Sequence, residues 1–244
     1  MSAVCPWFIL ALDPELCRSV DHYCERTSPA FDAEPINALT NLAFLVAGFM
    51  AWRLQVAQRD GGGNGLVGSI IFIIPIIGLG SILFHTLAVR WAEWGDVVPI
   101  LVFMLLYLWL VTRRFLAWTF WPSALALSVF FAATLYLEAR VPGSFLWGGA
   151  MYLPTVFVLI ILPLALRGHR PSVGRPFFIA VAVFLMSFTA RTLDAPLCAH
   201  IPTGTHFLWH ILNAVLLYML ARIAILHTPL SRKGYSGTNR ERSP

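Results

Sequence analysis

The sequence predicts an all-α membrane protein: a bundle of seven transmembrane helices with its N-terminus outside and its C-terminus in the cytoplasm. Three observations lead there. Only 12% of the 244 residues are charged and 58% are hydrophobic. A water-soluble domain carries about 25% charged residues, and half that supply cannot cover a hydrated surface. Apolar runs of about 20 residues, long enough to cross roughly 30 Å of hydrocarbon, recur seven times along the chain. The basic residues are unevenly divided: with the N-terminus outside, Arg18, Arg26, Arg90, Arg140 and Arg191 fall on the outer side, and the other twelve of the seventeen Lys and Arg fall in inner loops and the tail. Short cytoplasmic loops carry that excess.

Taken in order, residues 1–34 read as an extramembrane acidic lid, because six of the chain's twelve acidic residues (Asp13, Glu15, Asp21, Glu25, Asp32 and Glu34) lie in it. Its first apolar stretch is brief and acidic residues follow at once, unlike a signal peptide. The membrane unit, residues 35–228, contains spans expected at Ile36–Val56, Gly65–Leu87, Val97–Val111, Trp118–Leu137, Phe145–Leu166, Phe177–Leu193 and Thr205–Leu226. As a helix, each closes its own backbone hydrogen bonds, which hydrocarbon demands. The third is short because Glu93 and Asp96 depress hydropathy at its start, and it is expected to begin nearer Trp91. Gly61–Gly65 reads as a flexible turn and residues 229–244 as a basic, disordered tail. The net charge of +5 reflects this asymmetry, and a basic tail suits an anionic lipid surface. Scattered over several loops, the basic residues do not form a nucleic-acid footprint.

Polar residues inside spans are costly and mark function. The second span ends in GLGSILFHTL, with Ser81 and His85 four residues apart on one helical face. The third opens on Asp96 in EWGDVVPI, and the seventh on THFLWHILN, with His206 and His210 again four apart. Two imidazoles at that spacing can share a metal ion, and a third from another helix completes a three-histidine set with an open fourth position, the catalytic form of a zinc site. The topology supports the grouping. The second span runs outward and the third and seventh run inward, so all four groups fall at one depth near the outer leaflet. A lone intramembrane histidine is otherwise a packing residue, and an HxxxH pair can also hold haem. His22, His169, His200 and His227 fall in loops or at helix ends and read as solvated.

With these residues the chain resembles the alkaline ceramidases, part of a superfamily of seven-helix hydrolases that includes the adiponectin-type receptors. The resemblance rests on YCE at Tyr23–Glu25, AEPINALTNL at Ala33–Leu42, GLGSILFHTL at Gly78–Leu87, GDVVPI at Gly95–Ile100, AMY at Ala150–Tyr152, LDAPLC at Leu193–Cys198 and HFLWHILNAVLLY at His206–Tyr218. It implies a zinc-dependent amidase cleaving the N-acyl bond of ceramide, or of a related N-acyl lipid, within the bilayer. It further implies His85, His206 and His210 as zinc ligands, Asp96 and Ser81 as the polar groups beside the catalytic water, and Tyr152 near the reacting carbonyl. Some members of the family bind Ca²⁺ through an Asp-Trp-Cys-Glu segment followed by Asn. Here DHYCERT offers Asp21 and Glu25, with Glu34 beyond, but one extra residue separates Asp21 from Cys24 and Thr27 stands at the Asn position. A merely solvated acidic lid is the other reading. The family pairs the cysteines that match Cys24 and Cys198, while Cys5 with Cys17 stays open.

Three function classes follow: the membrane amidase; an adiponectin-receptor-like receptor or regulator retaining the zinc site, against which the N-out orientation speaks; and a transporter or haem-bearing electron carrier using the same histidines. The expected partners are a lipid substrate and the bilayer, with no nucleic acid and no obligate protein partner evident. The expected location is a multi-pass protein of a bacterial inner membrane, or of the ER or Golgi membrane in a eukaryote.

Overall fold

A computed structural model of the chain describes residues 5–58, 65–168 and 170–227. Residues 61–64 of the expected turn, His169 and residues 229–244 of the expected tail lie outside the described residues. Within them, seven helices are long and apolar enough to cross a membrane, and the only β pairing is an isolated bridge between Ser19 and Val89.

Short α1 (Trp7–Leu12) and a single 3-10 turn, Pro14–Cys17, begin the N-terminal segment. The first span is α2 (Pro35–Thr40) continued by α3 (Leu42–Ala57). There follow α4 (Gly65–Leu87), α5 (Arg90–Leu110, prolonged by a wider turn to Phe115), α6 (Phe120–Arg140), α7 (Leu153–Arg167, preceded by a turn at Ala150–Tyr152), α8 (Pro171–Leu197) and α9 (His206–His227). Neighbours in sequence pack side by side, and α9 closes the ring by lying between α8 and α3.

The third span begins where expected, next to Trp91, while the starts of the fifth and sixth are displaced for local reasons. The third can start at Arg90 because Glu93 pairs with Arg90 at 2.7 Å and with His22 at 3.2 Å, so its charge need not face lipid alone. The fifth begins at Ala150 rather than Phe145, because Leu146 and Trp147 both adopt φ of 50° and Gly148 75°, which a right-handed helix cannot contain. The sixth begins at Pro171, where the ring's fixed φ and missing N–H suit the first helical position. Hydropathy alone missed that polar first turn.

The exterior is apolar. Phe72, Trp121, Leu125, Val129, Phe157 and Ile179 are among many large hydrophobic side chains left exposed along the helices. In water such a belt would drive aggregation, and against lipid it is the solvated surface. Polar side chains turn inward instead and gather at the end of the bundle where α4 and α8 finish and α5 and α9 start.

Candidate metal centre

At that end, His85 from the last turn of α4 meets His206 and His210 from the first two turns of α9. All three are fully buried, at 1%, 2% and 1% exposure. One ligand nitrogen from each lies within 4.8 Å of the others, the one such grouping of three or more His, Cys, Asp or Glu among the described residues. The facing atoms of His85 and His210 are both Nε2, 3.1 Å apart.

The partners on the opposite ring nitrogens decide what those facing atoms are. His85 Nδ1 donates to Glu34 Oε2 at 2.6 Å. Glu34 also accepts from Arg26 Nε at 2.5 Å and from Asn37 Nδ2 at 3.1 Å. Burial raises its carboxyl, but the hydrogen bonds it accepts from His85 and Arg26, with the Arg26 charge, outweigh burial and hold it below the ordinary glutamate value. An ionised carboxylate only accepts, so the proton sits on His85 Nδ1. His210 Nδ1 lies 3.0 Å from Thr40 Oγ1, whose own proton goes to the Ile36 carbonyl at 2.8 Å, so Thr40 accepts from His210. With both rings neutral, as metal ligands are, the two Nε2 atoms carry lone pairs aimed at each other across 3.1 Å. Two bare acceptors repel at that range, and a cation between them reverses the sign. Two nitrogens about 2.1 Å from a tetrahedral zinc stand roughly 3.4 Å apart, close to what is found. His206 Nδ1 is buried with no hydrogen-bond partner. The donor set fits a metal ion, with Glu34 and Thr40 as the outer groups that orient its ligands.

Tyr23, from the N-terminal segment, covers this cluster: its ring stacks on His206 at 3.7 Å and leans on His85 at 5.2 Å. Burial holds its hydroxyl well above the usual tyrosine range, so it stays a neutral donor. The segment is tied down close by. Cys24 is bonded to Cys198, and Asp194 of α8 accepts from Cys24 N at 3.0 Å with one oxygen and from Thr205 N and His206 N at 2.6 and 2.8 Å with the other. That carboxylate caps the start of α9 and thereby places His206. Gly204 permits it, with φ of 64° and a Cα so close to Asp194 Oδ1 that any Cβ would collide. Cys5 and Cys17 form the second disulfide.

Ser81 and Asp96 are brought together by helix packing. Gly80 faces the Gly95 carbonyl so closely that a Cβ there would overlap it. Pro99, four residues after Gly95, has no N–H to take that carbonyl in the helix. The contact brings the next residue of each helix together, and the Ser81 hydroxyl becomes the side-chain hydrogen-bond partner of Asp96. Ser81, Asp96, Tyr152 and His210 all line one internal cavity whose remaining walls are mostly apolar, among them Phe103, Met104, Leu159, Phe184 and Leu217, with Thr155 and Asn213 as polar exceptions. It runs from the histidines toward Tyr107, Val111, Leu162 and Leu220, and the Tyr107 hydroxyl donates to the Leu220 carbonyl at 3.0 Å.

The expected calcium ligands are not assembled. Glu25 is spent on the start of α2, accepting from Ile36 N at 2.7 Å and Asn37 N at 2.8 Å. Glu34 is buried between Arg26 and His85, and Asp21 is exposed and joins neither. The Arg26 guanidinium supplies the positive charge among these carboxylates, and reaches the Ser28, Ala30 and His85 carbonyls as well. Calcium is therefore not supported. The residues that the sequence reading left without a role, Tyr23, Arg26, Thr40 and Asp194, all lie in or beside the quoted motifs. An intramembrane carboxylate at Asp194 was the signal that could have flagged one of them.

No curated protein matches the chain. The family model described as Ceramidase matches residues 18–239. A match over nearly the whole chain, joined to a seven-span bundle around three converging histidines, is decisive: the chain belongs to the ceramidase family, a family of hydrolases.

Proposed function

We propose that the protein is an intramembrane, zinc-dependent amidohydrolase that cleaves the N-acyl bond of ceramide or a related N-acyl lipid, releasing a sphingoid base and a fatty acid. One observation carries this reading: three buried histidines converge at the head of an apolar cavity that also holds Asp96, Ser81 and Tyr152. Zinc held by His85, His206 and His210 would polarise the amide carbonyl and lower the pKa of bound water toward about 7.

The chain's own groups divide the remaining work. Asp96 takes the proton from the attacking water and returns it to the leaving amine. Ser81, as its hydrogen-bond partner, holds that carboxylate in position. The Tyr152 hydroxyl is a donor for the oxyanion of the tetrahedral intermediate. The acyl chain lies down the cavity: from His210 to Leu220 the rise of α9 alone is about 15 Å, close to half the roughly 30 Å hydrocarbon core, so one leaflet's chain fits its length. Ring centroids 4.5 to 5.3 Å apart leave no slot for a macrocycle between the histidines, which speaks against haem. The arginine asymmetry puts the N-terminus, the lid and the site on the outer side.

Mass spectrometry of lipids released from a panel of N-acyl sphingoid substrates tests this. Zinc-loaded protein releases base and fatty acid, and chelated protein does neither until zinc is restored. One bound metal per chain with no product from any substrate would return the chain to the receptor-like reading.

A further inference from the structure

We propose that Arg191 is a specificity-determining residue that binds an anionic group on the amine half of the substrate, making an anionic N-acyl lipid a better substrate than neutral ceramide. This rests on the amidase reading above and narrows its substrate class.

Arg191 lies within the α8 span, where a charge is costly and ordinarily has a partner. Among the described residues it forms no ion pair, unlike Arg18, Arg26 and Arg90, which each have a glutamate, and like Arg140, which stands at the very end of its helix. Its nearest carboxylate in sequence, Asp194, is committed to the backbone N–H groups of Cys24, Thr205 and His206. Among the described residues the guanidinium donates to two carbonyls, Trp147 O at 3.0 Å and Gly148 O at 3.5 Å, and so has donors to spare among its five.

Its position is what gives that spare charge a use. The guanidinium carbon sits 5.5 Å above the Tyr152 ring and 5.9 Å above the Trp209 ring. Both rings line the cavity that holds Ser81, Asp96 and His210. Its charge also bears on Asp96, Tyr23 and His206. Two aromatic faces and two carbonyls aim the guanidinium without neutralising it. With the acyl chain running down the apolar cavity away from the histidines, the amine half of the lipid must emerge at the opposite side of the amide. Arg191 is at that end. A planar fork with free N–H groups recognises carboxylate, sulfonate or phosphate, and neutral ceramide offers none of these.

The test compares kcat/KM for three lipids with one acyl chain: ceramide, ceramide bearing a 1-phosphate, and its 1-sulfonate analogue. The two anionic lipids exceed ceramide by about tenfold or more in the native protein, as a charge-assisted hydrogen bond implies. Arg191→Gln erases the preference and Arg191→Lys keeps part of it. A preference for phosphate alone or sulfonate alone identifies which anion the site takes. Equal kcat/KM for charged and neutral lipids in the native protein overturns the proposal. So does an Arg191→Gln protein that melts earlier and is slower on all three lipids in equal proportion, since Arg191 then only fastens the Trp147–Gly148 turn. If none of the lipids is cleaved, it is the amidase reading that fails. Binding of a non-cleavable ether analogue of the 1-phosphate to native and Arg191→Gln protein still decides on Arg191, equal affinities rejecting it.

Discussion

Helices α9 and α6 are of nearly equal length and hydropathy, yet one is buried over more than half of its apolar window and the other over less than a fifth. On α9, His206, Trp209, His210 and Asn213 are all buried: the last three line the cavity, and His206 lies under the Tyr23 ring. On α6, only Ser123, Phe130 and Thr134 are buried, while Trp121, Leu125, Val129 and Leu135 meet lipid. The Ser123 and Thr134 hydroxyls are satisfied by the helix's own carbonyls, Thr119 O at 3.0 Å and Phe130 O at 2.9 Å. The contrast separates two demands on a membrane helix. Staying in the bilayer asks only for apolar side chains and a closed backbone ladder. Building a site asks for particular atoms at particular places.

The largest expected effect is on α9 itself. His206→Ala should lose its bound zinc and fall below detectable turnover, because two remaining imidazoles hold the ion weakly against water; metal content and product release on the same sample check it. Stoichiometric zinc with full activity would make α9 no different from α6. Next comes Asp96, which lines the cavity with His210 and stands outside the three-histidine group. Asp96→Asn should lower kcat by about 10² or more with zinc still bound. An Asp96→Asn protein without zinc would make Asp96 a ligand, and full activity would remove it from the mechanism.

A smaller effect probes the support behind the histidines. Glu34→Gln replaces the carboxylate that receives the His85 proton, and should weaken zinc affinity by about 10- to 100-fold in a chelator competition. Unchanged affinity would mean that the His85 tautomer is held by something else. The smallest effect is expected on the lipid face: Leu125→Ala on α6 should leave turnover unchanged and stability within about 0.5 kcal/mol, read from thermal unfolding in detergent. A large loss would show that α6 packs against a further partner in the membrane and would weaken the comparison at its quiet end.

Much of the site was legible because membrane topology turns sequence position into depth. His85 near the end of one span, with Asp96 and His206 near the starts of two that run the opposite way, had to lie at one level, and i,i+4 spacing put His206 and His210 on one face. What depth could not supply was the partner of each carboxylate. Glu34 reads as a calcium ligand beside Glu25, yet it faces His85, 51 positions away, while Glu25 turns to the first amides of α2. Arg26 carried no signal at all. As one more arginine outside the spans it counted only toward orientation, until folding placed it between Glu34 and the His85 carbonyl.

The sequence by itself determined seven spans and the depth of the histidines, because transfer into lipid sums over contiguous residues and needs no knowledge of neighbours. Only the tertiary structure decided which ring nitrogens of His85 and His210 face each other, what the lid carboxylates do, and that Arg191 forms no ion pair among the described residues. Those depend on atoms from distant segments meeting within about 3 Å, a distance at which hydrogen bonds exist or do not. It is packing, through contacts as close as Gly80 against the Gly95 carbonyl, that sets such distances.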